Sequence, residues 1–218
     1  MPEFAEGAEV THDAKRAARV TLLARRRAYT VAERESAAEA VQAELVALVR
    51  RLRPTRVAAY APVGGEPGGP GLPAVLADAL PPGAELLLPV LRHDLDLDWA
   101  PWAGAGAMVA AGRGIREPDT PRRGVDGIVT AELVVVPALA VDRRGVRLGR
   151  GGGSYDRALA RVPATAFTVT PLYDGELLDE VPAEPHDRPV RAALTPSGGL
   201  HALPTSVAPH TSAGRTGP

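Results

Sequence analysis

Apolar and polar residues alternate in two periods along this chain. Residues 13–29 carry a 3.6-residue pattern rich in arginine and predict a first helix, and Thr30-Val31-Ala32-Glu33 is a capping box that opens a second, running to about residue 51. Arg53-Pro54 stops it. Residues 56–60 are β-branched and apolar enough for a short strand, and residues 62–70 form a Gly- and Pro-dense loop around one carboxylate, Glu66. The pattern then predicts a helix over 72–80, a buried strand over 85–91, a more exposed alternating strand over 94–102, and a short helix or turn over 103–112. Residues 133–139 are the most hydrophobic run. A helix over 154–161, a strand over 164–170, a loop over 171–189 and a short strand over 189–194 complete the series. Strands alternating with helices predict a single α/β domain over residues 13–195. It has a mainly parallel sheet with helices on both faces, a Rossmann-like three-layer arrangement and an N-terminal helical pair. Residues 1–12 and 196–218 lack apolar periodicity and are expected to be disordered termini.

Composition narrows the chemistry. With 218 residues and 45% hydrophobic content one domain with a sizeable core is expected, and a net charge of −1 without a basic stripe argues against nucleic acid as the main partner. The triplet Arg25-Arg26-Arg27 reads as a helix face. The absence of cysteine excludes a thiolate nucleophile and cysteine-ligated zinc. The first ten residues have no apolar core of a signal peptide, and no uncharged run approaches the length of a membrane span, so a cytoplasmic protein is expected. Of 25 Lys and Arg residues only Lys15 is lysine. Loss of lysine is what a GC-rich genome produces, and a lone survivor suggests a site that needs a compact ammonium. Lys15 and Arg19, four apart, share one helix face near its N-terminus, where two cations oppose the helix dipole unless an anion lies between them. Chance retention on a solvated helix is the plain alternative.

The most informative stretch is Leu148-Gly149-Arg150-Gly151-Gly152-Gly153-Ser154-Tyr155-Asp156, lying between the apolar run 133–139 and a helix. Backbone N–H groups without a Cβ in the way, beside an arginine and a helix start, favour a bound phosphate. No Gly-Lys-Ser/Thr closes the loop as in a Walker A motif. No acidic ribose ligand follows as in a dinucleotide fingerprint, and Asp156 stands where a nucleophile elbow needs glycine. Taken singly, Asp156 could be a helix cap, Asp187 a turn residue, and Glu66 a loop charge.

Together these segments resemble the 5-formyltetrahydrofolate cyclo-ligase family, also called methenyltetrahydrofolate synthetase, and in particular its high-GC bacterial members. The resemblance runs from about residue 13 to 196. It rests on the loop 149–156, which the family usually writes Gly-Arg-Gly-x-Gly-Tyr-Tyr-Asp, and on Lys15-Arg16-Ala17-Ala18-Arg19. Gly65-Glu66, Ile115-Arg116-Glu117-Pro118 and Glu184-Pro185-His186-Asp187 complete it. It implies a monomeric enzyme that uses ATP and Mg²⁺ to convert 5-formyltetrahydrofolate into 5,10-methenyltetrahydrofolate. Lys15, Arg19, Gly149, Arg150, Gly151, Gly152, Gly153, Ser154 and Tyr155 would hold ATP, with Arg150 and Lys15 acting on the transferred phosphate. Arg19, Glu66, Gly153 and Tyr155 would contact folate, and Asp156 and Asp187 would be the magnesium ligands. His186 could orient Asp187. Two positions depart from the usual loop: Gly152 stands in place of lysine and Ser154 in place of the first tyrosine. The alternatives are a folate- or nucleotide-binding paralogue without turnover, and an unrelated α/β phosphosugar or acyl-transfer enzyme sharing only the fold.

Overall fold

The computed structural model describes residues 3–112, 114–184 and 187–204. Helix α1 (Glu3–Ala28) begins ten residues before the expected start, because Ala and Glu dominate that stretch and carry high helix propensity without any apolar stripe. Helix α2 (Val31–Leu52) opens on the expected capping box. The Thr30 hydroxyl accepts from Glu33 N–H and the Glu33 carboxylate accepts from Thr30 N–H, an arrangement that stabilises a helix by about 1 kcal/mol. The helix ends at Arg53 in the left-handed region (φ 49°), immediately before Pro54.

Five parallel strands form the centre of the main sheet: β1 (Arg56–Ala58), β2 (Glu85–Leu91), β6 (Leu133–Val135), β9 (Phe167–Pro171) and β11 (Ala192–Thr195). Antiparallel strands close both edges, β3 (Leu97–Pro101) beside β2 and β12 (Gly199–Ala202) beside β11, giving the order β12-β11-β9-β6-β1-β2-β3. Successive residues along β1, β2 and β6 alternate between two cores. Val57, Leu86, Leu88, Leu133 and Val135 pack with α2 and with α3 (Leu72–Ala79), whereas Ala58, Leu87 and Val134 pack with α4 (Ser154–Leu159) and Ile128. A strand covered on both faces reads as a continuous apolar run, which explains why these segments were legible.

Smaller elements depart from the sequence reading. Strand β6 ends at Val135, and Pro137, which has no N–H for a ladder, carries the chain out of the sheet. A hairpin of β7 (Ala140–Asp142) and β8 (Arg147–Leu148) follows, so the glycine loop leaves this hairpin rather than the central sheet. Within the expected loop 171–189, β10 (Leu177–Leu178) pairs with β7. Helix α1 lies on this small sheet through Leu22, packed with Leu139, Ala140, Leu148 and Val181. The two N-terminal helices therefore serve different layers. A second hairpin pairs β4 (Met108–Ala110) with β5 (Arg116–Pro118).

Residues 94–102 were expected to form an exposed strand, yet β3 starts only at Leu97 and is buried, because the 3₁₀ turn Val125–Thr130 covers it. Asp96 is accommodated by a two-pronged pair with Arg161 at 3.0 and 2.6 Å. The expected disorder from residue 196 is corrected by β12, whose backbone completes the edge of β11; residues 205–218 lie outside the described residues. No helix among the described residues is long and apolar enough to cross a membrane.

Candidate active site

Strands β1 and β6 are neighbours, and the chain leaves β1 toward β2 on one side and β6 toward β9 on the other. Such a switch in direction leaves a crevice at the carboxyl ends of the strands, the usual ligand position in open α/β sheets. A cleft of about 540 Å³ opens there. Tyr60 and Glu66 enter it from the segment after β1, and Pro137, Ala138 and Leu139 from the segment after β6. Leu91, Leu95 and Leu97 come from the β2–β3 hairpin, and Lys15, Arg19 and Arg26 from α1. The loop 149–153, the first turn of α4, Glu184 and Asp187 close it.

Every residue to which the resemblance assigns ATP, folate or magnesium therefore lines one cavity: Lys15, Arg19, Glu66, Gly149, Arg150, Gly151, Gly152, Gly153, Ser154, Tyr155, Asp156 and Asp187. They come from four separated segments. Arg19 Nε donates to Gly149 O at 3.0 Å, so α1 and the glycine loop hold each other. Gly151 sits at φ 101° with the Arg19 guanidinium 3.5 Å from where a Cβ would project, and only glycine takes that backbone without strain beside a packed side chain. Gly153 ends the loop at φ 66° and starts α4.

Charge in the cleft is arranged in pairs. Lys15 is 4% exposed, and its ammonium donates to Glu184 Oε2 at 2.5 Å and Asp187 Oδ2 at 2.8 Å. Asp187 Oδ2 also accepts from Glu184 N–H at 2.8 Å. Asp156 Oδ1 accepts from Arg147 Nη2 at 2.5 Å and from Arg188 N–H at 3.2 Å, which ties the first turn of α4 to the residue after Asp187. Glu66 Oε2 accepts from Val63 N–H at 2.9 Å, and its Oε1 faces Arg150 Nε at 3.2 Å. Burial lowers the pKa of Arg147, opposed by Asp156 alongside, and a guanidinium stays charged even so. Burial raises the phenol of Tyr155, and the nearby Glu66 carboxylate adds to the shift, so the hydroxyl keeps its proton. Tyr155 Oη is buried without a hydrogen-bond partner among the described residues, a condition that a bound ligand would relieve.

A cation outside the cleft lining braces the unusual loop. Arg157, one turn into α4, reaches back to donate to Gly152 O at 3.0 Å and to Leu95 O at 2.6 Å, which puts a cation beside the loop despite Gly152. That bond also pins Leu95, held in the left-handed region at φ 62°, to the glycine loop.

Among the described residues no cluster of three or more His, Asp or Glu side chains forms a cage for a metal. The donor chemistry still suits Mg²⁺ shared with phosphate. Asp156 and Asp187 are hard oxygen donors on one wall, and both hydrogen bonds to Asp156 fall on Oδ1. His186, expected beside Asp187, lies outside the described residues.

Two arginines of the cleft escaped the sequence reading, Arg26 and Arg147. Arg26 was read only as part of a helix-face triplet; it is 4% exposed while Arg25 and Arg27 are exposed. Its spacing of eleven from Lys15 and seven from Arg19 was the available signal, since all three then share a helical stripe. Arg147 gave no comparable cue, and Glu184, quoted within the 184–187 motif, was given no role there.

Comparison with known proteins places the chain in a family. Residues 11–196 match the 5-formyltetrahydrofolate cyclo-ligase family. The 5-formyltetrahydrofolate cyclo-ligase of Mycolicibacterium smegmatis is 46% identical over 190 residues, which cover 85% of this chain and 95% of that protein. The Escherichia coli K12 protein of the same name is 35% identical over 86 residues, 38% of this chain and 46% of its own. The NMR structure of Aquifex aeolicus 5,10-methenyltetrahydrofolate synthetase superposes with a TM-score of 0.68 at 25% identity, covering 91% of this chain and 98% of that one. A Mycoplasma pneumoniae 5,10-methenyltetrahydrofolate synthetase superposes at 0.64 with 18% identity, covering 82% and 96%.

Proposed function

This chain belongs to the 5-formyltetrahydrofolate cyclo-ligase family and is a ligase, and from that premise we propose that it closes 5-formyltetrahydrofolate to 5,10-methenyltetrahydrofolate with ATP and Mg²⁺, releasing ADP and phosphate. An amide-type oxygen is a weak nucleophile and a poor leaving group, so the reaction needs activation at the formyl oxygen. That oxygen takes the γ-phosphoryl group as the bond to ADP breaks. N10 then attacks the formyl carbon, the carbon–oxygen bond breaks, and phosphate departs together with the N10 proton. Catalysis of such a transfer consists mostly of alignment and charge stabilisation.

The residues divide these tasks. Arg150, Arg19, Lys15 and the N–H groups of 149–155 face the triphosphate. Asp156 and Asp187 supply two hard carboxylate oxygens, the donor type that an octahedral Mg²⁺ takes beside phosphate oxygens and water, where it would neutralise charge on the leaving group. Glu66 accepts hydrogen bonds from the folate, and Tyr155, with its ring in the cleft wall and its hydroxyl unpartnered, meets the folate side of the loop.

The observation that carries this reading is that Lys15, Arg19, Glu66, the loop 149–156 and Asp187, far apart in sequence, line the same cleft at the switch point of the sheet. Purified protein given 5-formyltetrahydrofolate, ATP and Mg²⁺ is expected to produce methenyl absorbance, lost in Asp156→Ala and weakened at limiting MgATP in Arg150→Ala. Ligand binding without any wild-type product would contradict the proposal and make the chain a binder.

A further inference from the structure

Helix α1 runs the length of the cleft, and Lys15, Arg19, Leu22 and Arg26 form one stripe at spacings of four, three and four. At 1.5 Å per residue, Arg26 stands about 10 Å beyond Arg19 and about 16 Å beyond Lys15 along the axis. Lys15 and Arg19 belong to the end closed by Asp187 and the glycine loop. Arg26 belongs to the other end, where the Gly65-Glu66 loop passes so close that a Cβ on Gly65 would lie 3.8 Å from Arg26 O.

The chemistry of Arg26 differs from that of the other cations. Nε and Nη2 donate to Glu176 Oε1 and Oε2, both at 2.7 Å, and Nη2 also donates to Ala138 O at 2.7 Å. Glu176 is itself fixed by Tyr173 N–H at 2.8 Å, and the Tyr173 ring covers the guanidinium at 5.6 Å. Burial opposes the charge on Arg26, but the Glu176 carboxylate outweighs burial and raises its pKa. Nη1 makes no hydrogen bond among the described residues, and Arg26 lines the cleft. The pair thus presents a rigid, polarised donor with no net charge. Such a donor suits a neutral carbonyl oxygen, whereas a phosphate suits the cluster of Lys15, Arg19 and Arg150 at the other end.

We infer that Arg26 Nη1 is a substrate-binding donor that holds a neutral carbonyl oxygen of the bound ligand. Resting on the folate reading above, that oxygen is the 4-oxo group of the pterin ring. The formyl oxygen is excluded because it must meet the transferred phosphate. The 4-oxo group neighbours N5 on the ring, so a donor fixed there turns the N5-formyl group toward Arg19 and the glycine loop, and the distance of about 10 Å leaves room for the formyl and one phosphate between the two arginines.

The test uses the full chain and three probes titrated singly: 5-formyltetrahydrofolate, its 4-amino analogue in which the carbonyl is replaced, and MgATP. Wild type is expected to bind the 4-oxo compound about tenfold more tightly than the analogue. In Arg26→Gln/Glu176→Gln, where no charge is left unpaired, affinity for the 4-oxo compound falls about tenfold. Affinities for the analogue and for MgATP stay within about threefold, a selectivity that a merely structural role would not produce. Equal binding of the two folates by wild type overturns the inference even if the double variant does not fold, and so does a double variant that keeps the preference. A wild type that binds neither folate overturns the folate reading itself, and this assignment with it.

Discussion

Arg26 and Glu176 are each 4% exposed and meet through two bonds of 2.7 Å, whereas Arg150 and Glu66, facing the same cleft, are 55% and 13% exposed and meet once, at 3.2 Å. The first pair is held by the backbone of Ala138 and Tyr173; the second joins two loops. Burial makes the first pair costly to break, because either partner left alone is an uncompensated charge in a dry place. Solvent makes the second cheap to break, because each partner can return to water. The cleft therefore has a fixed wall and an exchangeable one. Phosphate is expected at the exchangeable wall, where an arginine can trade a carboxylate for a ligand without unfolding anything.

The largest effect should come from breaking the fixed pair. Glu176→Ala leaves the Arg26 guanidinium buried and unpaired and should cost about 3–5 kcal/mol, lowering the thermal midpoint by roughly 10 °C in a melting experiment. A melt within about 2 °C of wild type would show that the pair is not closed to solvent. Next comes Asp156→Asn, which keeps a hydrogen-bond acceptor for Arg147 but removes the charge. Turnover should fall about 100-fold, equivalent to about 2.7 kcal/mol, and because Arg147 is 3% exposed the melting midpoint should fall too, by less than in Glu176→Ala. Arg150→Ala sharpens the contrast. Stability should shift by less than about 1 kcal/mol, since the pair is exposed, while the KM for MgATP rises about tenfold.

The smallest effect concerns a pair of intermediate burial. Asp96 is buried against Arg161, and the hydrogen bonds from that guanidinium hold its carboxyl below the usual range. A carboxyl depressed in the folded state adds stability at pH values above its unfolded value of about 4, and that contribution disappears as pH falls through the folded value. Denaturation of Asp96→Asn should therefore converge on wild type as pH drops from about 5 to about 2, where the difference between the two proteins is predicted to vanish.

The sequence disclosed the exchangeable wall better than the fixed one, for a physical reason. Glycines 149, 151, 152 and 153 with Arg150 form a contiguous motif, and Lys15 stands out as the lone lysine. Local spacing therefore led to residues that do line the cleft. Arg26 instead depends on Glu176, 150 residues away, and no local pattern indicates that an arginine in a run of three is neutralised by so distant a carboxylate. The long buried strands were legible from their apolar runs. Two-residue strands such as β8 and β10, and an edge strand such as β12, exist because of tertiary pairing and carry too few residues for a period. Asp96 and Asp98 pointed to an exposed strand because acidic residues usually face water; Arg161 reverses that for Asp96.

The account stands most directly on the coupling of phosphate transfer to ring closure. The decisive measurement follows ADP and methenyl product together, in one reaction of pure protein with 5-formyltetrahydrofolate, Mg²⁺ and ATP. One ADP for each methenyl product, with no ADP formed when the folate is omitted, is the predicted result. Methenyl product without ADP, or ADP release indifferent to the folate, would contradict the assignment of both ligands to this cleft.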